Sequence, residues 1–192
     1  MAKPAINRGK LVWAGEHWIN AIRTEGADRP SGWFSLYLTR YSEVGEGIAL
    51  QLVIPSADIS LVCTDNPRVG RWIADRFFTR SSIKTPEAPI LPARFAREGA
   101  THDAPAWIAE TDHYRVVARW QCTEPPVMAY GPFRAGVEFF TLLFFTRQST
   151  IELDGKPIQG STYLRDLWKP TIGAERSSSV YALSESLIEP AS

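Results

Sequence analysis

The chain is poor in cysteine, methionine, lysine and histidine, with two Cys, two Met, five Lys and three His among 192 residues. Two thiols, Cys63 and Cys122, are too few for the disulfide framework of a small secreted scaffold, so both are expected to be reduced. His17, His102 and His113 stand far apart in the sequence. No CxxC, HExxH or carboxylate-rich calcium loop accompanies them, and no metal site is expected. Charge of neither sign is in excess: 21 Lys and Arg balance 21 Asp and Glu. That excludes a general nucleic-acid binder, which needs a basic surplus. Apolar runs are short. A membrane helix needs about 20 such residues, whereas the most apolar stretch, VEFFTLLFF at 137–145, is shorter and carries Glu138. The N-terminus has basic residues but no apolar block of the kind a secretory signal needs, so a cytoplasmic protein without a membrane partner is expected. Gly-rich phosphate loops, GxGxxG and GxSxG are missing too. No nucleotide or other cofactor and no esterase-type serine elbow is therefore expected.

What the chain does have is alternation. Residues 10–19 read as a first strand. Residues 33–41 place Phe34, Leu36 and Leu38 on one face, and 48–54 place Ile48, Leu50, Leu52 and Ile54 on one face, a hairpin turning at Gly45–Gly47 and ended by Pro55. A fourth strand, 57–64, runs into the one strong helix signal. Asp65 and Asn66 can cap it, Pro67 suits its first turn, and Val69, Trp72, Ile73 and Phe77 form an apolar stripe. The helix is predicted at about 67–79.

Residues 81–106 hold four prolines, Pro86, Pro89, Pro92 and Pro105, and read as a crossing loop with a short strand near 93–98. Residues 111–123 read as an amphipathic strand with His113, Arg115 and Arg119 on its polar face, and 127–134 as a connection. Residues 137–147 read as a strand buried on both faces, and 150–158 as a hairpin turning at Asp154–Gly155. Further strands fall at 161–168 and 177–188.

Nine or ten strands with one helix predict a mainly β (α+β) fold. The expected architecture is one domain over 1–192, with 1–9 loose: a single antiparallel β-barrel with the helix packed against it, and a two-sheet sandwich as the rival. The strand pattern resembles that of lipocalin-like barrels and of their enzymatic relatives that add or remove water. The resemblance implies an enclosed small ligand. It stops at pattern, because Gly32 directly precedes Trp33 without the spacer residue of the G-x-W signature.

Candidate site residues follow from placing polar groups on apolar faces. Glu138 shares a face with Phe140, Leu142 and Phe144, where a desolvated carboxyl is tuned toward acid–base work. Asp58 at a strand start, His113 beside two arginines, and Glu185 among Tyr181, Leu183 and Leu187 are further acid–base candidates. Trp33, Tyr37, Trp120, Tyr130, Phe140 and Tyr163 could shape a cavity for an apolar or aromatic molecule, with Arg115 and Arg119 holding an anionic group. His17 and Trp18 read as structural residues near a barrel mouth.

The function expected from this set is binding of a small apolar or aromatic compound. Cofactor-free acid–base catalysis of the isomerase, hydratase or lyase type would act on it. The alternatives are a non-catalytic carrier or sensor, and an interaction protein that forms homo-oligomers through strands such as 137–145.

Overall fold

The computed structural model describes residues 9–80, 83, 87–101, 103–134 and 136–191, without the side chains of Arg80 and Arg134. His102 and nearly all of the expected loose N-terminus lie outside the described residues. The alternating runs become strands β1 (Gly9–Ile22), β2 (Gly32–Ser42), β3 (Gly47–Ile54) and β4 (Ile59–Thr64). Helix α1 (Pro67–Arg76) follows, started by the Asn66 side chain, which accepts a hydrogen bond from the Arg68 amide at 3.1 Å. Pro67 occupies its first turn, where a missing N–H costs nothing, and Val69, Trp72 and Ile73 face the sheet. The helix ends three residues earlier than its apolar stripe predicts, and a 3-10 turn at Phe78–Arg80 continues it.

The second half contributes β5 (Ile90–Pro92), β6 (Arg94–Ala100), β7 (Asp103–Glu110), β8 (Arg115–Thr123), β9 (Val127–Arg134), β10 (Val137–Leu153), β11 (Lys156–Pro157), β12 (Leu164–Arg165), β13 (Arg176–Ser177) and β14 (Ser179–Pro190), with a short helix α2 (Lys169–Ile172) after β12. Several expected boundaries change. The expected crossing loop is largely strands β5 to β7. The expected strand over 111–123 begins only at Arg115, because the Thr111 hydroxyl accepts from the His113 and Tyr114 amides and closes a tight turn there. Residues 127–134 pair with β10 as a strand rather than a connection. The two runs at 137–147 and 150–158 form one strand with a hairpin after it.

Twelve of the strands form one curled sheet in the order β5-β4-β3-β2-β1-β14-β10-β8-β7-β6, with β9 and β11 also paired to β10, and β12 and β13 form a separate two-stranded ladder. Every ladder is antiparallel except β4 with β5, which α1 separates in the chain as a crossover. This corrects the expected closed antiparallel barrel: the molecule is a half-barrel. No ladder among the described residues joins the outer strands β5 and β6. The β5 edge is three residues long and ends on Pro92, which has no N–H for a further ladder.

The hollow of the curl is filled. Trp18, Phe34, Leu36, Leu50 and Leu52 from one arm meet Trp107, Ala109, Val116, Ala118 and Trp120 from the other in one buried cluster. Tyr181 stacks between Trp18, at 4.4 Å between centroids, and Phe144, at 5.1 Å. Ring pairs of this kind add about 0.5–1.5 kcal/mol each beyond their area. Several polar atoms in the hollow are paired across it: Trp120 Nε1 donates to the Ile19 carbonyl, and Asn20 Nδ2 donates to the carbonyls of Arg119 and Thr150, whereas Trp107 Nε1 is buried there without a hydrogen-bond partner. The opposite face of the sheet is covered in two places, by α1 over Trp13, Tyr37 and Val62, and by the segment carrying Trp168 and Ile172 over Phe145 and Val180.

Candidate functional site

Between those two coverings the outer face is bare, and a cavity of about 350 Å³ opens there. Its size falls within the range of small-ligand pockets. Cross-strand register fixes its floor. Thr141, Glu185, Gly15 and Thr39 form one row across β10, β14, β1 and β2. Leu143, Ala182, His17 and Tyr37 form the next, and Phe145, Val180, Ile19 and Ser35 the third. His17 therefore stands diagonally between Ser35 on one neighbouring strand and Glu185 on the other.

A bulge puts Glu185 there. The three steps from Ala182 to Glu185 on β14 match two steps from Gly15 to His17 on β1 and two from Thr141 to Leu143 on β10. One extra residue, in the Leu183–Ser184 stretch, switches the parity of the strand. Glu185 thereby leaves the face of Tyr181 and joins that of Val180 and Ala182. Re-aiming a side chain in this way is a common role of bulges beside functional sites.

The resulting contacts are specific. The His17 ring stacks on Tyr37 at 3.9 Å between centroids. Its Nε2 lies 3.3 Å from Ser35 Oγ and its Nδ1 lies 3.6 Å from Glu185 Oε1, an ion-pair rather than a hydrogen-bond distance. A carboxylate only accepts, so the tautomer that suits Glu185 carries its proton on Nδ1. Nε2 is then left with its one lone pair as an acceptor for the Ser35 hydroxyl, and it acts as a base on a ligand when the ligand's proton takes that hydroxyl's place. Burial first, and the nearby Glu185 charge second, push the Tyr37 phenol well above its ordinary pKa, so it stays neutral.

Two further polar atoms of the wall, Thr141 Oγ1 and Trp168 Nε1, are buried without a hydrogen-bond partner. Buried polar groups are nearly always paired, so such orphans call for a reason. The rest of the wall is mostly apolar, with Phe77, Phe133, Phe139, Leu143 and Leu167 prominent, and it also carries Arg76, Arg165 and Thr171.

The serine–histidine–carboxylate order is that of a nucleophile chain, but Ser35 sits in the middle of β2, bonded to β1 on one side and β3 on the other. The amides around it are spent on the ladder, which leaves no oxyanion hole of backbone N–H groups. The arrangement suits proton transfer better than acyl transfer. Among the described residues no three His, Cys, Asp or Glu side chains come together in a way that could hold a metal ion, and no helix is long and apolar enough to cross a membrane. Cys63 and Cys122 are both unbridged.

Of the residues singled out from sequence, Trp33, Tyr37 and Glu185 line this cavity. Tyr163 lies beside it, under the Arg23 guanidinium at 4.2 Å. The others are elsewhere. Glu138 is exposed, contrary to its expected desolvation, because the arm that covers Phe144 does not reach the start of β10. Phe140 and Tyr130, directly opposite each other in the ladder, are 53% and 72% exposed on that uncovered stretch. Asp58 is exposed in a left-handed conformation and ends a 3-10 turn begun at Pro55, instead of pointing from a strand. His113 lies exposed in the Thr111–Tyr114 turn, away from any strand face. Arg115 pairs with Glu110 at 3.1 Å, Arg119 is half-buried outside the cavity, and Trp120 belongs to the packed hollow.

His17, Ser35, Thr141 and Trp168 were not singled out as site residues. For His17 the alternation Trp13, Gly15, His17, Ile19 was a usable signal. For the others the register was needed, and no single strand contains it.

The chain was compared with protein-family models, with curated proteins and with solved structures. None matches. The functional reading therefore stands on the cavity alone.

Proposed function

We propose that this chain binds a small, largely apolar molecule in the outer cavity, and that His17 moves a proton on it without a cofactor. Glu185 orients the His17 ring. Thr141 and Trp168 would hydrogen-bond a carbonyl or hydroxyl oxygen of the ligand, and the phenyl and leucyl wall would hold its body. Isomerisation, hydration and elimination all use such a proton transfer, and one positioned imidazole in a site that excludes water contributes about 10²–10⁴-fold to it. The observation that carries the reading is the convergence of His17 with Glu185 and Ser35 in a wall that also holds two unpartnered polar atoms.

The test follows deuterium from solvent into a panel of small apolar ketones and enones, by NMR, with the wild-type chain and with His17→Gln. The expected result is exchange that falls at least 100-fold in the variant while binding of the same compounds persists. Binding without exchange in the wild type would make the protein a carrier, and exchange indifferent to His17 would place the base elsewhere.

A further inference from the structure

A second hollow, of about 520 Å³, adjoins the first. Trp33 and Arg165 belong to the walls of both. Trp33 is fixed in place: its Nε1 donates to Gln51 Oε1 at 3.0 Å, and Gln51 Nε2 donates in turn to the Ile83 carbonyl at 2.7 Å. Arg165, on the short strand β12 held by β13, lays its guanidinium 5.4 Å from the centre of the Trp33 ring. Burial lowers the Arg165 pKa from its ordinary value, with Tyr163 acting in the opposite sense. A guanidinium nevertheless stays charged in a protein. Among the described residues lining the second hollow, Arg29 and Arg165 face the single carboxylate of Asp28. Each lining has two arginines and one carboxylate, Arg76 and Arg165 with Glu185 in the first and Arg29 and Arg165 with Asp28 in the second. The first adds a broad phenyl and leucyl wall, its Arg76 is engaged by Glu43 at 2.6 Å, and one tryptophan–arginine pair is common to both.

We propose that the second hollow takes the anionic head of the same ligand whose apolar body fills the first, so that the ligand class is an amphipathic oxo-acid, a carboxylate or a phosphate ester. Arg165 is the forked contact and Arg29 the second cation. The planar guanidinium presents paired N–H donors that match two oxygens of such a head. An anionic head is attracted by the two guanidinium charges of Arg165 and Arg29, which a neutral head is not. This assignment rests on the binding reading above.

The test is titration calorimetry on the full chain at low salt, with decanoate, decyl phosphate and decanol as probes, on the wild type, Arg165→Gln and Arg29→Gln. One or both acids are expected to bind at least tenfold more tightly than decanol; which of them does so separates carboxylate from phosphate recognition. Arg165→Gln is expected to erase that gap and leave decanol within twofold, and Arg29→Gln to narrow the gap severalfold. Thermal denaturation checks that each variant folds, and Arg29→Gln carries the test if Arg165→Gln does not. Equal binding of acids and decanol, or a loss that strikes all three probes alike, overturns the head-group assignment while the cavity reading stands. Failure of every probe to bind overturns both.

Discussion

Single residues set the chemistry of this protein through what surrounds them, and Cys63 shows the rule in its simplest form. The thiol lies in the packed hollow, and burial pushes its pKa from 9.0 up to about 12. A folded-state pKa above the unfolded one means that the folded chain holds the proton more tightly. The associated stability is fully present below pH 9 and is lost as the pH rises toward 12. Three pKa units correspond to a loss of up to about 4 kcal/mol across that window. The buried Tyr37 phenol adds a loss of the same sign above pH 10. Urea midpoints measured from pH 7 to 10.5 are expected to fall for the wild type and to fall less for Cys63→Ala; parallel curves would contradict the burial argument. At this scale the sequence was partly legible. Trp33 and Tyr37 were visible as aromatic handles and Glu185 as a carboxylate among apolar neighbours. Glu138 had the same appearance, but it stays exposed beyond the reach of the covering arm, whereas a bulge turns Glu185 onto the cavity face.

Elements decide which of those residues meet. Strand periodicity was strong enough in β1 to β4 and in α1 to be read directly, because alternation and the Asn66–Pro67 cap leave little choice. It failed where a local device intervenes. A bulge reverses parity at Leu183–Ser184, a hydroxyl closes the turn at Thr111, and Pro55 forces the 3-10 turn that ends in Asp58. Gly15 is a further device of this kind. It lies opposite Glu185 on β14, and a Cβ on it would run into the backbone carbonyl of Leu38 on β2. Gly15→Ala is expected to force β1 and β2 apart and cost about 1–3 kcal/mol. The same shift would move His17, two residues along, out of reach of Ser35. Denaturation gives the first effect and the His17 ring signals in NMR the second; an unchanged midpoint with unchanged ring signals would contradict the close approach.

For the whole molecule, the decisive feature is that the hollow of the half-barrel is solid and the usable space lies on its other face. Sequence reasoning placed the ligand inside the curl because a sheet of this many strands tends to close around something. Seven tryptophans changed that outcome: Trp18, Trp107 and Trp120 fill the interior, whereas Trp33 and Trp168 border the outer cavity. These rings also supply the most direct test. In a ¹H–¹⁵N spectrum each indole N–H gives its own signal, and decanol can be titrated while all of them are watched. Saturable shifts of the Trp33 and Trp168 signals, with those of Trp18, Trp107 and Trp120 unmoved, are the expected result. Shifts confined to Trp18, Trp107 and Trp120 would put the ligand within the curl and contradict the account.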